Sequence, residues 1–190
     1  MIRSPSLTSN ILPFRGKSPR ISKEAFVAHT AVVIGDVEIG AGSGVWFHCV
    51  VRGDMNEIRI GENVNIQDGT IVHVDSRTYG TYIQDNVTIG HMALIHACVL
   101  EEGCMVGMRA TVMDGAVVEK GALVAAGALV APGKRVRAGE VWAGTPARRL
   151  RQVSNRDQDM LDYIWPAYRD LGAEYVTDGY DIRSIDKERE

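Results

Sequence analysis

Three histidines in the middle of the chain have the type and spacing to carry chemistry. His91 and His96 sit five apart in Ile89-Gly90-His91-Met92-Ala93-Leu94-Ile95-His96, and His73 lies a short way upstream. Three neutral imidazoles that leave a fourth position open form the ligand set of a catalytic zinc-type site, which lowers the pKa of bound water to about 7. Each histidine alone reads equally well as an ordinary surface residue, so the trio must be weighed with its surroundings. Arg52-Gly53-Asp54 lies upstream, and Asn65-Ile66-Gln67-Asp68 ends five residues before His73.

The elements that must position these residues are set by an internal repeat. Stepping six residues at a time from Val27 gives Val33, Ile39, Val45 and Val51. A second register runs Leu94, Leu100, Val106, Val112, Val118, Val124, Val130 and Val136. Small residues (Cys98, Cys104, Ala110, Ala116, Ala122, Ala128) fall four places after these aliphatics, and glycines such as Gly103, Gly115 and Gly121 fall three places after. A period of six suits neither an α-helix nor an uninterrupted strand; it suits short strands joined by tight corners. The expected fold is all-β: a left-handed parallel β-helix of hexapeptide repeats, six or seven triangular coils over residues 27–147, with a C-terminal α-helix. The two registers do not join in phase, and the turn-rich residues 75–80 are the candidate for what loops out.

The interior of such a prism is filled by side chains, so a site must form outside it. Residues five apart around a triangular coil cannot share one flat face, and one chain cannot readily bring His91 and His96 to the same ion. A subunit interface solves this, with His91 of one chain meeting His73 and His96 of the next. Residues 1–26 contain Pro5, Pro13 and Pro19 and no periodicity, and are expected to form an extended arm. Residues 148–176 are expected to be helical, with Ser154 or Asn155 as N-cap and Asp157 in the first turn. Met160, Ile164, Tyr168 and Leu171 would share the packed face, with Pro166 kinking or dividing the helix. Arg148, Arg149 and Arg151 read as a solvated helix start, and residues 177–190 as a charged, mobile tail.

Of the 190 residues, 45% are hydrophobic and 24% charged, which is ordinary soluble composition. A net charge of −3 gives no basic footprint for nucleic acid, and no apolar run is long enough for a membrane span. Met1 to Ser9 lacks the apolar stretch of a secretory signal, so the expected location is the cytoplasm. Cys49, Cys98 and Cys104 form no metal or redox spacing and read as reduced, buried thiols.

Taken together, Arg52-Gly53-Asp54, Asn65-x-Gln67-Asp68, His73, Ile89-Gly90-His91 and Ile95-His96 resemble the γ-class carbonic anhydrases from about Ile11 to Tyr175. The resemblance implies a homotrimer with three metal sites at its interfaces. His73 and His96 would come from one chain and His91 from its neighbour, holding zinc, iron(II) or cobalt(II). It also implies that Gln67 hydrogen-bonds the activated water, that Arg52 pairs with Asp68 across the interface, that Asp54 organises this network, and that Tyr168 reaches the pocket. The implied reaction is hydration of carbon dioxide to bicarbonate. The chain departs from the family's best-understood members in carrying Met55 rather than Glu after Arg-Gly-Asp, and in having only Asp75 as an acid in the loop after His73. Proton transfer would then fall to Asp75, Glu57 or buffer. A thioesterase on the same metal site, a hexapeptide acyltransferase and a low-activity assembly trimer remain alternative readings.

Overall fold

A computed structural model describes residues 10–187. Its core follows the six-residue rule: Val27, Val33, Ile39, Val45 and Val51 are all buried, as are the small residues Cys98, Cys104, Ala110, Ala116, Ala122 and Ala128. Each buried aliphatic contributes about 1.5–3 kcal/mol of transfer free energy, so a column of them running through every coil is the main source of stability. Successive coils pair as parallel strands and give the left-handed β-helix three faces. The first face stacks Ile11–Leu12, the start of Val32–Ile39, the start of Val50–Ile60, Ile71–His73, Leu94–His96, Thr111–Val112 and Leu129–Val130. The second holds Arg20–Ile21, the ends of the two long strands, Thr81–Ile83, Val99–Leu100, Val117–Val118 and Arg135–Val136. The third is a run of seven parallel strands from Phe26–Val27 to Glu140–Gly144.

The phase break has three parts. Between the interior residues Val51 and Ile60 the strand carries an excursion at Asp54 to Asn56; between Val72 and Ile83 the loop 75–80 intervenes; and from Ile95 to Leu100 one hexad is a residue short. Ile95 is therefore the buried residue, and Leu94, which began the second register, points outward and is half-buried.

The ends of the chain depart from expectation in several places. In the arm, Ile11–Leu12 and Arg20–Ile21 add parallel strands to Val32–Ile39. Residues 1–9 and 188–190 lie outside the described residues. Arg148, Arg149 and Arg151 do not open a helix: they lie on the strand Ala147–Gln152, antiparallel to Glu140–Gly144, with Arg149 bridging Glu140 at 2.8 Å. The helix Asn155–Thr177 (α1) starts at a capping box in which Ser154 and Asp157 exchange hydrogen bonds, and it runs unbroken through Pro166. Met160 and Leu171 are exposed on α1, whereas Leu161 and Gly172 are buried and Tyr168, Tyr175 and Val176 pack on the core. The packed face is thus rotated from the expected one, because Gly172 has no side chain to hold the helix away from Phe26.

Residues after Thr177 do not hang free up to residue 187. Ile182–Lys187 is helical (α2), and Asp181, 1% exposed, accepts a hydrogen bond from the Val27 amide at 2.9 Å. Arg183 grips Asp181 and donates to the carbonyls of Ser22 and Ala25. No helix among the described residues is long and apolar enough to cross a membrane.

Cys49, Cys98 and Cys104 are unpaired and buried. Burial pushes the thiols of Cys49 and Cys98 up to about 12 and raises that of Cys104 as well. Since the thiolate is the reactive form, the native protein should stay unmodified by iodoacetamide while all three thiols alkylate in denaturant. Mass spectrometry reads this directly, and fast native alkylation would contradict the packing.

Candidate metal centre

The first face carries two groups of polar residues, one at each edge. At the end of its strands, His73 and His96 are paired neighbours on adjacent coils, and both point outward. Their ring nitrogens, Nδ1 of His73 and Nε2 of His96, stand 3.2 Å apart. The outer nitrogen of each ring meets a carboxylate: His73 Nε2 lies 3.1 Å from Asp54 Oδ1, and His96 Nδ1 lies 2.5 Å from Asp114 Oδ1. Arg52 donates from Nη1 to the other oxygen of Asp54 at 2.5 Å.

An ionised carboxylate can only accept, so both outer nitrogens carry the ring proton and both inner nitrogens present lone pairs to each other. Two facing lone pairs at 3.2 Å are unfavourable unless a proton or a cation sits between them. Two nitrogens each about 2.0–2.1 Å from one tetrahedral ion stand roughly 3.3 Å apart. The donors and their spacing therefore fit a zinc-type ion, and each imidazole has the outer carboxylate partner that metal-ligating histidines characteristically have. Burial pushes the pKa of His73 down, outweighing the opposing effect of Asp54, so the ring stays in the neutral, metal-binding form. For Asp54, burial works upward, but hydrogen bonds from Arg52 and His73 prevail and hold it below the usual carboxylate range.

At the other edge, before the strands begin, Nδ1 of His91 lies 2.8 Å from Asp68 Oδ2. Gln67, 3% exposed, is its neighbour in the same turn. Tyr168 reaches this edge from α1, packed edge-on against Trp46 at 5.3 Å, and its hydroxyl pKa is raised by burial and by the charge of Asp68. Within one chain, then, the expected site residues form two half-sites: Arg52, Asp54, His73 and His96 at one edge, and Gln67, Asp68, His91 and Tyr168 at the other. Within the chain Arg52 pairs with Asp54, while Asp68, its expected partner across an interface, lies at the opposite edge. Among the described residues, no three His, Cys, Asp or Glu side chains of a single chain gather to hold a metal.

Asp114 was not singled out from the sequence. The available signal was its place in an Asp-Gly turn on the next coil, one residue beyond the position that stacks on His96, since Ile95 pairs with Val112. The two acids considered for proton transfer are both engaged. Asp75 caps its own loop, accepting from the amides of Arg77 and Thr78, which lower its pKa. Glu57 is held by Tyr82 and Arg59, each at 2.7 Å.

Among known proteins, the mitochondrial γ carbonic anhydrase 2 of Arabidopsis thaliana is 51% identical over 146 residues, 74% of this chain and 52% of that protein. The carbonic anhydrase of Geobacillus kaustophilus is 38% identical over 87% of this chain and 90% of its own length. The chain belongs to the γ-class carbonic anhydrase family. It spans about half to two-thirds of the length of the plant family members it matches. A solved structure of a hexapeptide transferase family protein from Anaplasma phagocytophilum superposes with a TM-score of 0.83 at 43% identity, covering 86% of this chain and 96% of the other. No family model matches the chain. The paired half-sites lie on the motifs that this γ-class chain carries in Arg52-Gly53-Asp54, His73 and His91 to His96.

Proposed function

We propose that the protein hydrates carbon dioxide to bicarbonate at three metal sites, each shared between two subunits of a homotrimer. The observation that carries this reading is the 3.2 Å approach of His73 and His96 at one edge of a face whose opposite edge holds His91. A head-to-tail ring of three chains brings the two kinds of edge together three times and closes. Such a ring would cover an otherwise exposed apolar strip. Ile71 on this face is 45% exposed, and Met92 and Met108 at its leading edge are 60% and 53% exposed.

His73 and His96 of one chain and His91 of the next would hold zinc, iron(II) or cobalt(II), and the ion when bound supplies a low pKa for water at the fourth position. The protein's own groups do the rest. Arg52 anchors Asp54, and Asp54 fixes the ring of His73. In the assembled ring Arg52 also faces the neighbour's Asp68, giving an ion pair that aligns the two edges. Gln67 orients the attacking water, and Tyr168 closes the pocket from α1. With Asp75 and Glu57 committed to structural bonds, the proton released on each turnover leaves to buffer. The steady-state rate should therefore rise with imidazole concentration and be unchanged in Glu57→Gln; a buffer-independent rate that collapses in that variant would assign the transfer to Glu57.

The deciding experiment is stopped-flow carbon dioxide hydration by anaerobically purified protein, metal-stripped and then reloaded with zinc or iron(II). Hydration that appears only on reloading is expected. Full metal occupancy with no hydration would replace this reading with a thioesterase or an assembly trimer.

A further inference from the structure

We infer that Asp114 is a positioning residue that selects which nitrogen His96 offers to the metal, an inference that rests on reading His73 and His96 as ligands. A neutral imidazole has one N–H and two tautomers of similar energy, and the partner of one nitrogen decides which form exists. Asp114 Oδ1 is 2.5 Å from Nδ1 of His96, so the proton resides on Nδ1 and the lone pair on Nε2, the nitrogen that faces His73. Asp54 divides its charge between Arg52 and His73. Asp114, by contrast, forms no ion pair with a lysine or arginine among the described residues, so its charge is directed at His96 alone.

The turn that carries Asp114 is held from three sides. Its carbonyl accepts the Gly133 amide at 2.8 Å, and the next amide, of Gly115, donates to Ala97 at 2.8 Å. The ring of Tyr79 lies 3.3 Å from where a Gly115 Cβ would stand, so the loop 75–80 packs across the turn. Asp114 is thus fixed on the coil below His96, independently of the subunit interface. Carboxylates in this role strengthen the ligand as well as orient it, and their removal typically costs roughly 10- to 100-fold in metal affinity.

The test is nitrogen-15 NMR of histidine-labelled, metal-stripped protein, with zinc affinity measured by competition against a chromophoric chelator. In the wild type, His96 should carry a proton on Nδ1, whether or not a further proton bridges its Nε2 and His73. Asp114→Ala should populate both tautomers and weaken zinc binding roughly 10- to 100-fold. Asp114→Asn, whose amide oxygen still accepts from Nδ1–H, should keep the tautomer and recover most of the affinity. A wild-type His96 with Nδ1 unprotonated would overturn the inference even if Asp114→Ala failed to fold, as would an Asp114→Ala variant with unchanged tautomer and affinity. Failure of the ligand reading looks different: the wild type would bind no zinc, while the tautomer would still shift in Asp114→Ala.

Discussion

Co-expressed His91→Ala and His73→Ala chains should recover about a quarter of the wild-type hydration rate, although either variant expressed alone should be inactive. Each variant destroys one half-site and leaves the other intact. In a head-to-tail ring a site is whole when a chain with intact His73 and His96 precedes one with intact His91, and random mixing of equal amounts satisfies this at about one site in four. Bound zinc should follow the same fraction, which separates restored metal binding from any other cause of activity. If the mixture stays as inactive as its parents while forming mixed trimers, the three histidines do not meet between chains. The lone-chain geometry supports the expected outcome, because His91 is engaged with Asp68 at one edge while His73 and His96 stand together at the other.

The second large effect concerns stability. Gly35 has φ +80, and a Cβ placed on it would lie 2.3 Å from the carbonyl oxygen of Gly53. Gly35→Ala therefore combines a left-handed backbone penalty of about 1–2 kcal/mol with backbone overlap worth about 1–3 kcal/mol. Neither side can yield cheaply, because both contacting atoms belong to main chain within a paired ladder. The displaced residue would be the glycine of Arg52-Gly53-Asp54, so the contact between Asp54 and His73 should loosen and zinc affinity should fall together with the melting temperature. Gly121→Ala is the control: φ is +62 there, but nothing lies within 4 Å of the new Cβ. It should incur only the backbone penalty and leave zinc binding unchanged. Equal melting temperatures for the two variants would show that the coils can move apart at Gly53.

The repeat was legible in the sequence because its rule is local: each hexad places one aliphatic inside, and the column from Val27 to Val51 follows directly. Its interruptions were harder to read. With one residue missing between Ile95 and Leu100, the adjacent aliphatics Leu94 and Ile95 both satisfied a step of six, and only the stacking against Val72 and Val112 decides between them. The two-residue strands of the arm are too short to show a period, and Asp181 and Arg183 bear no local mark of their contacts some 150 residues away. The histidines could be proposed as ligands once they were read with Arg52-Gly53-Asp54 and Asn65 to Asp68, whereas Asp114 required knowing that Ile95 stacks on Val112, in a coil one residue short of three hexads. The arginines at 148–151 misled because charge alone does not distinguish an exposed strand from a helix start.

The return path of the C-terminal segment changes how the stack should come apart. A solenoid whose coils touch only their neighbours behaves as a one-dimensional array and can fray from either end. Here α1 starts beside the last coils and packs Tyr168, Gly172 and Tyr175 near the first ones, and Asp181 and Arg183 then bond to residues 22–27. The first coil cannot peel away without breaking those bonds, nor can the C-terminal segment be released without exposing the first coil. The two ends of the array are therefore linked, and the amides of the outermost coils are expected to exchange with solvent through the same global opening as those at the centre.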